Sequence, residues 1–266
     1  KDREILLRKK VARFIKLNRR RPSLLAIELS ADPASQLYLK LKRAAAVRIG
    51  IDFEVSAISN CKLKIENLEN SDGVFLQHPP GYDKQKWQEL VDQIPPEKDV
   101  DCLTTENLNL IKQGTQRFLP ATVKAAEYCL LSAFRKFDQL DKLDRLGKFL
   151  NKKHIVILGR SPILGLPLFY WLKNLGVSVT LLHSQSAISN QQLAIKNADI
   201  LISAVGKPGI ITADMVKKGA IVIDCGSPAG DVVFSEVAPK ASAITPVPGG
   251  VGPLTVVSLM ENVVKS

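Results

Sequence analysis

A chain of 266 residues, 45% hydrophobic and 24% charged, has the composition of a globular protein and the length for two domains, since single domains usually run to roughly 100–200 residues. No apolar run approaches the roughly 20 residues that cross a bilayer, no signal-peptide pattern opens the chain, and Cys61, Cys102, Cys129 and Cys225 are too scattered for a disulfide framework or a zinc site; these features argue for a cytoplasmic protein with reduced thiols, no metal and no membrane partner. The formal net charge of +11 suits an anionic ligand such as a phosphate-bearing cofactor.

The first pattern in the chain is helical and carries the basic runs "RKK" (Arg8 to Lys10) and "NRRRP" (Asn18 to Pro22). No aromatic residues interleave with these charges, so they are read as a solvated helix face and not as a nucleic-acid surface. Three short apolar runs follow, "SLLAIEL" (Ser23 to Leu29), "FEVSAI" (Phe53 to Ile58) and "GVFLQ" (Gly73 to Gln77), and each reads as a buried strand. Helical patterns separate them at Ala34 to Ile49 and Asp83 to Ile94, the first with Ser35 as its expected cap after the turn "ADP". This alternation predicts a mostly parallel sheet covered by helices. Two further helical stretches, Pro120 to Arg135 and Asp138 to Leu150, lead into the second half.

That half opens on "HIVILG" and continues with "VSVTLLH" (Val177 to His183), "ADILISAVG" (Ala198 to Gly206) and "AIVIDCG" (Ala220 to Gly226). Such near-continuous apolar runs at helical separations describe a doubly wound sheet buried on both faces. "LGRSPILGLP" sets Gly159, Arg160, Ser161 and Gly165 at a strand-to-helix junction, where backbone N–H groups and the helix dipole face an anion. Its spacing is Gly-x-x-x-x-x-Gly rather than GxGxxG, so an ordinary turn with two glycines is the alternative. At the end of the second strand, where an acid would grip the ribose of NAD, stand His183 and Ser184. With Arg160 at the first turn, the absent acid favours a 2′-phosphate, and hence NADP.

In the first half, Tyr38 and Lys42 of "SQLYLKLKRA" share one helix face, Gln77 ends a strand before prolines, and Asp99 and Asp101 follow in the loop "EKDVDCLT". Converging at the strand ends, these groups would handle a polar heterocycle and activate water. A Tyr-x-x-x-Lys pair also occurs in short-chain dehydrogenases, but there it follows the nucleotide-binding unit, and here it precedes it.

"ADPASQLYLKLKRAAAVRIGI", "DGVFLQHPP", "PEKDVD", "LGRSPILGLP", "LLHSQS", "ADILISAVGKPGII", "VIDCG", "GDVVF" and "ITPVPGGVGPLTV" together resemble, in order, the bifunctional methylenetetrahydrofolate dehydrogenase/cyclohydrolase family, over nearly the whole chain. The resemblance implies NADP-dependent oxidation of 5,10-methylenetetrahydrofolate, hydrolysis of the methenyl product to 10-formyltetrahydrofolate, and a homodimer. It implies that Lys42 is the central catalytic residue, with Tyr38 beside it, Gln77 orienting it and Asp101 holding the pterin. The expected cofactor contacts extend to Gly206, Cys225, Gly226 and Thr245, and the expected substrate contacts to Pro248, Gly249 and Gly250.

The sequence departs from the family where "QHPPG" stands for "QLPLP", bringing in His78 and Gly81, and where "LPATV" stands for "PCTP", bringing in Ala121 and Val123. His78 is read as a neutral cleft-lining side chain. The altered residues raise the alternative of a folate- or nucleotide-binding protein with little catalysis. The fold expected is α/β: a catalytic domain of residues 1–120 and 247–266, a Rossmann-like domain with a doubly wound parallel sheet of residues 121–246, and a cleft between them. The Gly/Pro segment from Pro246 to Pro253 is both connector and ligand cradle in this reading, after a strand "ASAI" (Ala241 to Ile244) and before a helix from about Pro253 that returns to the first domain.

Overall fold

The apolar runs of the first half form three parallel strands in the computed structural model, which describes residues 2–29, 32–58, 68–78, 81–134, 143–183 and 188–265. Ser184 and Cys61 lie outside the described residues. The chain divides into two units: Lys1–Leu110 with Gln116–Ala121 and Val256–Ser266, and Ile111–Thr115 with Thr122–Thr255.

In the first unit, α1 (Asp2–Asn18) precedes β1 (Ser23–Glu28), α2 (Pro33–Ile49), β2 (Asp52–Ala57), β3 (Gly73–Gln77) and α3 (Lys84–Val91). The strand order is β2-β1-β3, and both pairings are parallel. Central β1 is buried along its middle, which explains its unbroken apolar run. A further parallel bridge joins Val74 to Asp99, so the chain after α3 runs beside β3. The cap of α2 differs from the sequence expectation: Asp32, in extended backbone, accepts the Ser35 N–H at 3.0 Å, and Ser35 lies inside the first turn. Pro33 at the first helical position suits that start, because its missing N–H would have had no partner there. Gly50 ends α2 at φ 97°, a left-handed position that favours glycine.

The core of this unit joins Leu7 and Val11 of α1, Leu24 of β1, Ala46 of α2 and Phe75 of β3 to Leu259, Met260 and Val263 near the C-terminus. Those last residues belong to a helix that begins at Val251, two residues before the expected start, and ends at Val263. Asn262, 1% exposed, ties it down by donating from Nδ2 to the carbonyls of Val100 at 2.8 Å and Leu119 at 2.9 Å.

Ahead of the second sheet come α4 (Thr105–Gln113), α5 (Ala121–Ala133) and α6 (Leu143–Leu150); residues 138–142 of the expected helix lie outside the described residues. The sheet itself alternates β4 (Ile155–Leu158), α7 (Gly165–Asn174), β5 (Val179–Leu182), α8 (Ile188–Asn197), β6 (Ile200–Ser203), β7 (Ile221–Asp224), α9 (Phe234–Val237) and β8 (Ala243–Ile244), and the helix from Val251 is α10. Its order is β5-β4-β6-β7-β8, parallel throughout, with β4, β6 and β7 buried along their length. This is the doubly wound parallel sheet that the apolar runs predict. No helix among the described residues is long and apolar enough to cross a membrane.

Replacing Asn262 by alanine leaves two carbonyls without their donor and is expected to cost about 2 kcal/mol. A lower urea midpoint with an unchanged slope measures it.

Candidate active site

Ligands of open parallel sheets bind outside the carboxyl ends of the strands, where the strand order reverses. In the first unit that point lies between β1 and β3. Gln77 is the last residue of β3, and Lys42 comes from α2, the helix that follows β1. The Lys42 Nζ donates to Gln77 Oε1 at 3.1 Å and stands 4.0 Å from the centroid of the Phe75 ring. The ring favours the charged ammonium by about 2 kcal/mol once desolvated, but removing an ammonium from water costs several kcal/mol. Burial therefore wins and lowers the Lys42 pKa, against the opposing pull of the Asp101 charge. Tyr38, one turn earlier on the same stripe, is 41% exposed.

Asp101 owes its place to Asp99. The Asp99 carboxylate, 1% exposed, accepts the N–H groups of Cys102, Leu103 and Thr104 at 3.0, 2.8 and 2.7 Å, and the Asn107 amide at 3.0 Å. The loop is thereby folded around one buried carboxylate. Burial raises the pKa of Asp99. It also raises that of Asp101, with Lys42 opposing and the Asp99 charge adding. Cys102 takes the left-handed region at φ 61°, its N–H on Asp99 and its thiol donating to the Phe118 carbonyl at 3.4 Å. Neither the Asp99 bonds nor that strained turn left a mark in the sequence.

Sequence reading also assigned Ser35 only a capping part. It lies two turns before Lys42, 2% exposed, and its Oγ has no hydrogen-bond partner among the described residues. His78 turns to α3, its ring 4.9 Å from that of Trp87 in an edge-to-face contact. Ala121 is buried in the core of the first unit, and Val123 is fully buried.

In the second unit the reversal falls between β4 and β6. Gly159 leaves β4 at φ 104°, and a Cβ there would meet the Ala204 carbonyl oxygen at 2.3 Å. A Cβ on Gly165 would come within 1.9 Å of the Gly159 carbonyl oxygen. The wide glycine spacing is thus a turn in which helix and strand backbones touch. Ser161 accepts the Leu164 N–H at 3.3 Å, no side chain caps α7 among the described residues, and exposed Arg160 and half-buried His183 stand at the ends of β4 and β5. This cradle fits a nucleotide phosphate: it has the uncapped helix start, the close-packed glycines and a guanidinium.

The other expected cofactor residues follow β6, β7 and β8. Gly206 has φ 70° with open space around its Cα. Cys225 and Gly226 succeed Asp224, and burial pushes the Cys225 thiol up. Thr245 Oγ1 accepts the Asp224 N–H at 2.8 Å. Beyond the cis Val247–Pro248 bond, Gly249 takes φ 106° and Gly250 donates to the Pro246 carbonyl at 2.9 Å. Pro248, Gly249 and Gly250 belong to the second unit, and Tyr38, Lys42, Gln77 and Asp101 to the first.

Residues 3–101 match the tetrahydrofolate dehydrogenase/cyclohydrolase catalytic domain, and residues 140–266 the NAD(P)-binding domain of the same family. "Bifunctional protein FolD 2" of Lactobacillus johnsonii is 40% identical over 261 residues, covering 91% of this chain and 86% of its own. The crystal structure of the bifunctional methylenetetrahydrofolate dehydrogenase/cyclohydrolase from Campylobacter jejuni superposes with a TM-score of 0.83 at 32% identity, over 99% of this chain and 94% of that one. The Trypanosoma brucei dehydrogenase-cyclohydrolase, complexed with NADP cofactor and inhibitor, gives 0.81 at 30% identity, over 99% and 93%. With a desolvated lysine in the half that matches the catalytic domain and a glycine cradle in the half that matches the NAD(P)-binding domain, the chain belongs to the tetrahydrofolate dehydrogenase/cyclohydrolase family, as an oxidoreductase and a hydrolase.

Proposed function

We propose that this chain oxidises 5,10-methylenetetrahydrofolate to the 5,10-methenyl form and hydrolyses that cation to 10-formyltetrahydrofolate, with Lys42 at the centre of the hydrolytic step. The observation that carries the reading is the Lys42 amine itself, held by Gln77 at 3.1 Å and lowered in pKa by burial. NADP, when bound, supplies the acceptor for the hydride that leaves the methylene carbon. Oxidation needs alignment more than proton transfer. Hydrolysis needs both: water adds to the methenyl carbon as one of its protons passes to the neutral Lys42 amine, and a ring C–N bond then breaks as the new hydroxyl becomes the formyl C=O and gives its proton to that nitrogen. A cationic substrate beside Lys42 would favour the neutral amine further. In this scheme Gln77 orients the amine, Tyr38 lines the same helix face, and Asp101 holds the pterin through its carboxyl.

Gly159, Arg160, Ser161, Gly165, His183 and Ser184 are the residues we propose for the adenosine and phosphate end of NADP, and Gly206, Cys225, Gly226 and Thr245 for the rest of it. Pro248, Gly249 and Gly250 are proposed substrate contacts. A cytoplasmic homodimer that feeds formyl groups to purine biosynthesis is the setting we propose, on the family resemblance.

Purified protein is expected to build methenyl absorbance from methylenetetrahydrofolate and NADP, and to remove it when the methenyl compound is supplied; failure of both reactions overturns the reading. Lys42→Met is expected to lower hydrolysis by about 100-fold or more while NADP titrates as in the unaltered protein, and normal hydrolysis by that variant would remove Lys42 from its role. In the pH profile of hydrolase kcat/KM, activity climbs as Lys42 loses its proton. The Asp101 charge raises the Lys42 pKa, so Asp101→Asn moves the ascending limb to lower pH. A limb displaced upward would contradict that coupling.

A further inference from the structure

Outside the residues assigned so far, the second unit contains a carboxylate that is fully buried and has no cation against it among the described residues. Asp231, 0% exposed, accepts the Val205 N–H on Oδ2 and the Lys207 N–H on Oδ1, both at 2.8 Å. These are the two amides that flank Gly206. Ser203, also fully buried at the end of β6, donates its hydroxyl to Oδ2 at 2.6 Å. One carboxylate therefore grips the N–H groups of the residues on either side of a glycine that holds φ 70°, with open space where a Cβ would stand.

Asp231 is itself held. Asp224 Oδ1 accepts the Asp231 N–H at 3.1 Å and the Gly226 N–H at 2.8 Å, and Asp224 Oδ2 accepts the Val232 N–H at 3.0 Å. The backbone of the same loop laces to its neighbour, with Gly209 N on the Gly230 carbonyl and Ile211 N on the Asp231 carbonyl. The loops after β6 and β7 are thus one unit, closed by two carboxylates whose acceptors are used by backbone N–H groups and one hydroxyl.

We propose that Asp231 is a positioning residue of the nucleotide site: it fixes the shape of the loop around Gly206 and so sets NADP affinity and the dehydrogenase step, with no part in hydrolysis. This rests on the reading that the second unit holds NADP.

Asp231→Asn keeps the size of the side chain but turns an N–H₂ group toward one of the two amides. In the full chain, NADP titration should show an affinity about tenfold weaker, the loss of roughly one charge-assisted hydrogen bond. Dehydrogenase KM for NADP should rise in step, while hydrolysis of supplied methenyltetrahydrofolate without nucleotide stays within about twofold. Hydrogen exchange of the nucleotide-free protein should quicken at Val205 and Lys207. Unchanged NADP affinity with unchanged exchange overturns the proposal, and so does an equal loss of both activities, which marks a role in folding alone. If Asp231→Asn does not fold, Ser203→Ala removes only the hydroxyl donor, and a rise of about two- to fivefold in NADP KM is then the expected result; no rise overturns the proposal. Unaltered protein that fails to bind NADP would instead sink the functional reading itself.

Discussion

A loop that leaves the carboxyl end of a buried parallel strand carries N–H groups that neither sheet nor helix satisfies, and buried donors cannot be left unpaired. Among the described residues, this chain meets that constraint three times with an aspartate. Asp99 gathers the amides that follow Asp101, Asp224 gathers those of the turn after β7, and Asp231 gathers those around Gly206. Each carboxylate loses its water and gains several donors in return, which keeps such burial affordable. The backbone around the proposed ligand residues takes its shape from these side chains more than from local propensity.

The sheets decide where those loops stand. In the orders β2-β1-β3 and β5-β4-β6-β7-β8, the chain reverses its direction of winding once per sheet. The reversals bring Lys42 to Gln77 in one unit, and Gly159 to Ala204 in the other. Desolvation then does opposite things to the charges at the first site, lowering Lys42 and raising Asp101. Both shifts favour the neutral form, so the pair carries less charge than two exposed groups would.

Much of the architecture was legible in the sequence because strands buried on both faces read as unbroken apolar runs, as β1, β4, β6 and β7 do. Terminal details were less so: Asp32, not Ser35, caps α2, a choice set by whose side chain reaches back along an extended residue. The meeting of Lys42 with Gln77, 35 positions away, has no local signature; only the rule that groups at strand ends converge, and then the motif resemblance, brought the two together. The two glycines at Gly159 and Gly165 looked like a weak nucleotide turn by spacing; their meaning lies in a backbone contact that spacing does not encode. Asp224 and Asp231 passed unnoticed within "VIDCG" and "GDVVF" because an aspartate that holds a distant loop looks, in a sequence, like any solvated one.

Asn262 adds a matter of timing to the description of the first unit. Its core is incomplete without Leu259, Met260 and Val263, and the carbonyl of Val100, beside Asp101, waits for the Asn262 amide. On the ribosome, roughly 150 residues separate the end of its first segment from its last, or roughly 7–30 s of synthesis at ordinary elongation rates. The second unit is nearly continuous in the chain, and its main segment is finished before the last piece of the first emerges. The half that carries Lys42 is begun first and completed last, and in that interval its apolar strands depend on partial structure, or on chaperones, to stay out of trouble.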